Sequence, residues 1–192
     1  MLEVIVGCMF SGKSEELAKR LRRAKIAGKS VVAFKPSIDD RYDKNKIASH
    51  SSVTFDATTF ESLSELVGII GKYIECEAMP DVIGIDEVQF LPIEFSEFAN
   101  SVAASKSRII VAGLNMDYLG KPFGPIPNLM ATADGVTKLN AICVATDMNG
   151  VICGKPATMT YRFSNKSNGE VIQVGAADSY QARCRSCWAH DK

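Results

Sequence analysis

Apolar residues come in short runs separated by longer amphipathic stretches along the first three quarters of the chain. Leu2-Glu3-Val4-Ile5-Val6, Ser30-Val31-Val32-Ala33-Phe34, Asp81 to Ile85, Arg108 to Ala112 and Val136 to Ala141 read as buried strands. Between them the period lengthens. Ser14 to Ala27 puts Leu17, Leu21 and Ala24 on one helical face, with Gly28 just past the end. Phe60 to Ile74 has helical spacing through Leu63, Leu66, Val67, Ile70 and Ile74, and Ile93 to Ala104 and Asn128 to Ala133 read as further helices. Strands alternating with helices predict an α/β fold with a parallel sheet covered on both faces. Residues 37–57 are polar and turn-rich, an excursion expected to return through a short strand at Val53-Thr54-Phe55.

The pattern changes after Cys143. Segments become short, β-like and punctuated by Asn149-Gly150 and Asn168-Gly169, which are hairpin signals. A boundary near residue 141 divides the chain into an α/β domain, 1–141, and a small β-rich domain, 142–192.

Composition narrows the classes. The chain has 192 residues, 46% hydrophobic and 23% charged, which fits a globular domain with a small appendage. Its 22 basic and 22 acidic residues cancel, so no strong field draws it to nucleic acid or anionic lipid. No apolar run reaches membrane-spanning length, and the first strand leaves no room for a signal peptide. A cytoplasmic location is expected. The basic run Arg20 to Lys25 reads as the solvated face of the first helix.

Chemistry enters at Gly7-Cys8-Met9-Phe10-Ser11-Gly12-Lys13-Ser14, a complete G-x-x-x-x-G-K-[ST] phosphate loop (P-loop) between strand and helix. Its backbone N–H groups and the helix N-terminus suit the phosphates of ATP. Lys13 can reach the outer phosphates, and the Ser14 hydroxyl can ligate magnesium. Val82-Ile83-Gly84-Ile85-Asp86-Glu87 is an apolar strand ending in two carboxylates. Asp86 is the candidate for holding Mg2+. Glu87 can act as a general base toward a hydroxyl, which gives a kinase, or toward water, which gives an ATPase. It can also be a plain surface acid.

Cys184-Arg185-Ser186-Cys187 has the C-x-x-C spacing with which two thiolates grip one tetrahedral ion. Cys143 and Cys153 lie upstream, and a hairpin through Asn149-Gly150 can bring them together, giving four ligands for structural Zn2+. A redox pair fits less well, because Cys184 does not sit between the strand and helix of a thioredoxin-like unit. Cys8 reads as a small loop side chain, Cys76 as packed at a helix end, and His50 and His190 as surface residues.

Taken together, these motifs resemble the cytosolic-type (type II) thymidine kinases over nearly the whole length. The likeness is carried by Gly7 to Ser14, Phe34 to Tyr42 (FKPSIDDRY), Ile85 to Phe90 (IDEVQF), Gly113 to Gly124 (GLNMDYLGKPFG) and Val174 to Cys187 (VGAADSYQARCRSC). The resemblance implies transfer of the ATP γ-phosphoryl group to the 5′-hydroxyl of thymidine or deoxyuridine. It also implies a homotetramer, feedback inhibition by thymidine triphosphate (dTTP) and a zinc-bearing lasso that closes over the nucleoside. Position by position, Glu87 becomes the base, while Ser14 and Asp86 serve magnesium. Asp39, Asp40, Arg41 and Gln89 join the phosphate-loop residues around ATP. Asp39 also bonds the sugar 3′-hydroxyl. Met9, Phe90, Leu114, Tyr118, Phe123 and Thr160 wall the base pocket, and Val171, Ile172, Gln173, Val174, Gly175 and Tyr180 belong to the lasso. Three departures stand out: Cys8 where proline is frequent, Asn115 where aspartate is common, and about seven inserted residues, Thr146 to Ile152, between the first two cysteines.

Overall fold

The computed structural model describes residues 1–38, 46–48, 54–163 and 179–190, with only the backbone at 46–48, 54 and 190. Six strands form one parallel sheet: β1 (Leu2–Gly7), β2 (Val31–Pro36), β5 (Thr58–Phe60), β6 (Val82–Ile85), β7 (Arg108–Leu114) and β8 (Gly135–Leu139). Their order is β5-β2-β6-β7-β1-β8. A hairpin of β3 (Lys46–Ala48) and β4 (Thr54–Asp56) stands apart from the sheet.

Strand alternation decides what each face carries. Leu2, Val4, Val6, Phe34, Ile83, Ile85, Ile109 and Val111 point to one side. There they meet α2 (Leu63–Glu75), α3 (Phe95–Ala104) and α4 (Ile126–Thr132). Ile5, Ala33, Val82, Ile110 and Ala112 point to the other and are covered by α1 (Lys13–Ile26). Leu17 and Leu21 of α1 are fully buried, and each such side chain contributes about 2 kcal/mol. The expectation of a parallel sheet covered on both faces holds.

One stretch was misassigned by periodicity. Phe60 has the spacing of the α2 stripe, yet it ends the edge strand β5, paired with Pro36. The helix begins three residues later because Ser62 caps it: its hydroxyl accepts the Glu65 N–H at 3.2 Å, and the Glu65 carboxylate accepts the Glu61 N–H at 2.8 Å. At the other end of α2, Cys76 is exposed rather than packed.

Beyond β8 come short pairs: β9 (Ala141–Ile142) with β10 (Pro156–Ala157), and β11 (Met159–Arg162) with β12 (Tyr180–Arg183). Helix α5 (Arg185–His190) closes the described chain.

The basic run on α1 is only partly solvated. Arg22, Arg23 and Lys25 are exposed, but Arg20 reaches the sheet. Its guanidinium donates to Glu3 at 2.8 Å, Glu16 at 2.9 Å and Thr137 at 2.9 Å, while Arg108 holds the other Glu3 oxygen at 2.6 Å. Burial pushes the Glu3 carboxyl up, but the Arg108 and Arg20 guanidiniums outweigh it and hold the group below its ordinary value. A depressed native value stabilises the fold above the unfolded pKa of about 4.3 and loses that effect as pH falls through the native value. Glu3→Gln is therefore expected to cost about 1 kcal/mol at pH 7, a melting shift of ~2–4 °C, and to cost less near pH 3. Thermal denaturation at both pH values checks this, and a gap that widens on acidification overturns it.

Candidate active site and metal centre

The segment from Gly7 to Ser14 joins the C-terminal end of β1 to α1. Gly12 sits at φ 80°, a left-handed conformation that suits glycine, and Phe10 also lies in that region at φ 65°. Lys13 is buried, and its Nζ donates to the Cys8 carbonyl at 2.9 Å. The Ser11 hydroxyl donates to the same oxygen at 2.8 Å. Lys13 and Ser11 thus close one small turn on the Cys8 carbonyl.

Strand β7 separates β1 from β6, and the two acids of β6 emerge beside the loop across it. Asp86 and Glu87 are adjacent and both buried. Burial and the neighbouring Glu87 charge push the Asp86 carboxyl up to about 7, against the opposing hydrogen bonds from the Ser14 hydroxyl and the Glu87 N–H and the charge of Lys13. The Glu87 N–H donates to Asp86 Oδ1 at 2.9 Å. A hydroxyl and a carboxylate in mutual contact, with a second acid beside them, form an oxygen donor set that suits a hard divalent cation. Glu87 itself has φ 53° and ψ 36°, a left-handed backbone that costs a non-glycine residue about 1–3 kcal/mol. Gln89, on the 3-10 turn Val88–Phe90, donates from Nε2 to Glu87 Oε2 and accepts the Leu114 N–H at 3.0 Å.

The expected base-pocket residues fall into connected pairs. Phe90 and Phe123 meet edge to face with centroids 6.0 Å apart. The Met9 N–H donates to Thr160 Oγ1 at 3.1 Å, so the glycine-rich loop is tied to β11. Tyr118 lies beneath the Arg162 guanidinium, 3.7 Å from its centroid, and its carbonyl accepts the Trp188 indole N–H at 3.2 Å. Tyr180 is buried on β12. Asp39, Asp40, Arg41 and residues 171–175 lie outside the described residues. Asn115 Oδ1 is buried without a partner among the described residues. An amide is cheaper to bury there than the charge of an aspartate.

The sulfurs of Cys143, Cys153, Cys184 and Cys187 lie within 4.8 Å of one another. The hairpin between the first two closes through Asp147, whose carboxylate accepts the N–H groups of Asn149 and Val151, both at 2.9 Å, and through the Thr146–Ile152 bridge. Cys153 and Cys184 sulfurs are 4.0 Å apart, close to the ~3.8 Å edge of a tetrahedron with Zn–S bonds of about 2.3 Å. The Cys187 N–H and thiol hydrogen-bond to Cys184 and draw it down to about 7, while the same thiol contact pushes Cys187 up to about 12. Four converging thiols with one already disposed to ionise fit zinc. Cys8 packs on this cluster but is not one of the four; burial pushes its thiol up, and it donates to the Ala157 carbonyl at 3.3 Å.

A family model described as "Thymidine kinase" matches residues 1–188. The chain belongs to the thymidine kinase family. Two solved structures are also similar to it. One is a DNA replication initiation factor, 14% identical over 72% of this chain and 39% of that one, with a TM-score of 0.40. The other is the replication initiator DnaA bound to AMPPCP and single-stranded DNA, 19% identical over 72% of this chain and 40% of that one, with a TM-score of 0.44. The chain spans about two fifths of the length of these two structures, and at such scores neither bears on what this thymidine kinase family member does. No described helix is long and apolar enough to cross a membrane.

Sequence reasoning missed several supports of this thymidine kinase family site. Asp117 accepts the N–H groups of Leu119 and Lys121 at 2.9 and 2.8 Å, shaping the turn that carries Tyr118. Its signal was present as an Asp-x-x-Gly turn ending at Gly120. Gly120 has φ 79°, and a Cβ there would stand 2.9 Å from the Trp188 ring. Arg162 and Trp188 gave no comparable local signal. Protein purified without chelator is expected to carry about one zinc per chain by elemental analysis, and stripping it is expected to lower the melting temperature by several degrees. Metal-free protein with an unchanged melting curve overturns the site.

Proposed function

We propose that the chain is an ATP-dependent thymidine kinase that phosphorylates the 5′-hydroxyl of thymidine or deoxyuridine. The observation that carries this is the convergence of Lys13, Ser14, Asp86 and Glu87, from two strands separated by β7, in a member of the thymidine kinase family. In this reading residues 1–141 hold the triphosphate, and residues 142–192 form a zinc-bearing domain whose lasso covers the nucleoside. The tetramer, dTTP feedback and a cytoplasmic setting belong to the same proposal.

Gly7 to Ser14, with Asp39, Asp40 and Arg41, would surround ATP, and Ser14 with Asp86 would hold magnesium. When bound, the magnesium nucleotide supplies the phosphoryl group and offsets its charge. The protein's own residues do the rest. Asp39 holds the sugar 3′-hydroxyl, and Phe90, Phe123 and Tyr118 give the pyrimidine apolar and aromatic walls. Glu87 holds the 5′-hydroxyl and takes its proton as the new oxygen–phosphorus bond forms and the bond from the γ-phosphorus to the leaving ADP breaks. Positioning and fixed charge account for most of the acceleration, because a loose phosphoryl transition state needs little covalent help.

Glu87→Gln is expected to lower turnover at least ~100-fold while nucleoside binding is kept. Product assays and calorimetric titration with thymidine check this, and near-wild-type turnover overturns the base assignment. ATP consumption is expected only when thymidine is present, with thymidine monophosphate as product. Hydrolysis at the same rate without nucleoside would mark an ATPase instead.

A further inference from the structure

The Gln89 side chain faces the acid, not only the nucleotide. It is 2% exposed, and both ends of its amide are engaged. The chemistry of the partners fixes the orientation of that amide. A Glu87 carboxylate can only accept, so Nε2 must face it; the Leu114 N–H can only donate, so Oε1 must face that. Leu114 ends β7, the strand hydrogen-bonded on both sides to β1 and β6. The amide therefore runs from the end of β7, where Leu114 pairs with Gly7 of β1, to the carboxylate.

Its seat is tight. A Cβ on Gly113 would stand 2.6 Å from Gln89 Oε1, so that side of the amide is closed by the strand itself. A Cβ on Gly124 would stand 2.3 Å from the Gln89 carbonyl oxygen, so the turn backbone is closed in as well. Glu87 needs such a support. Its backbone is left-handed, and a glutamate side chain has several rotamers to lose before one carboxylate oxygen points reliably at a hydroxyl.

We propose that Gln89 is a positioning residue that fixes the Glu87 carboxylate against β7, holding one oxygen so that the plane of the group is set before the nucleoside arrives. This rests on Glu87 being the base. It places the contribution of Gln89 in the chemical step, through Glu87, and not in holding phosphates.

A double-mutant cycle with Glu87→Gln and Gln89→Met tests it. Gln89→Met is expected to lower kcat about 10-fold or more with KM for thymidine and ATP within about 2-fold. In the Glu87→Gln background the same change is expected to alter kcat by less than about 2-fold, because the group it acts through has already lost its function. A substitution that merely loosens the fold would multiply the two losses. Should Gln89→Met fail to fold, Gln89→Asn takes its place in the cycle, since it keeps the amide but is one methylene too short to span the Leu114 N–H and Glu87. Multiplicative losses, a kcat within 2-fold of wild type, or a loss confined to the KM for ATP overturns the proposal. Near-wild-type turnover of Glu87→Gln alone overturns the base reading instead, so the two failures are distinguishable.

Discussion

Two acids stand side by side in a buried place, and the architecture around them answers that fact. Asp86 and Glu87 are each less than a tenth exposed at the end of an apolar strand. Burial and the neighbouring Glu87 charge push the Asp86 carboxyl up, so it keeps its charge there only with help. Lys13 and Ser14 approach Asp86 from the first turn of α1, and Gln89 approaches Glu87 from the turn just beyond β6. The sheet order and the packing of α1 are therefore conditions for the pair to stand where it does.

The cysteine cluster is built into the same site. Cys8 belongs to the same packed cluster as Cys143 and Cys184, Thr160 of β11 accepts the Met9 N–H, and Trp188 of α5 donates to the Tyr118 carbonyl. The small β pairs that the four sulfurs bring together thus touch the glycine-rich loop and one aromatic wall directly. A metal bound there steadies residues well beyond its ligands.

Five of the six sheet strands were legible because they lie in the chain as discrete runs, whereas the short edge strand β5 was not. The glycine-rich loop and the acids were legible because their chemistry depends on fixed local spacing. The four cysteines were legible as a set because Asn149-Gly150 signalled the hairpin that unites the first pair. Phe60 was misread because an apolar residue ending an edge strand can fall in phase with the helix that follows. The contacts of Glu3 with Arg108 and of Cys8 with Ala157 were invisible for a different reason. Their partners lie more than 100 positions away, and local pattern carries no information about such pairs. Arg162 over Tyr118 is closer in sequence but still far beyond the reach of local pattern.

The left-handed backbone at Glu87 sets two demands on this position against each other. Glycine would relax that conformation at once, and in the absence of any demand for a carboxylate the fold would gain by adopting it. Backbone strain alone therefore pulls this position away from glutamate. On the reading that Glu87 is the base, a population of this protein released from the need to phosphorylate would be expected to lose it early and relieve that strain.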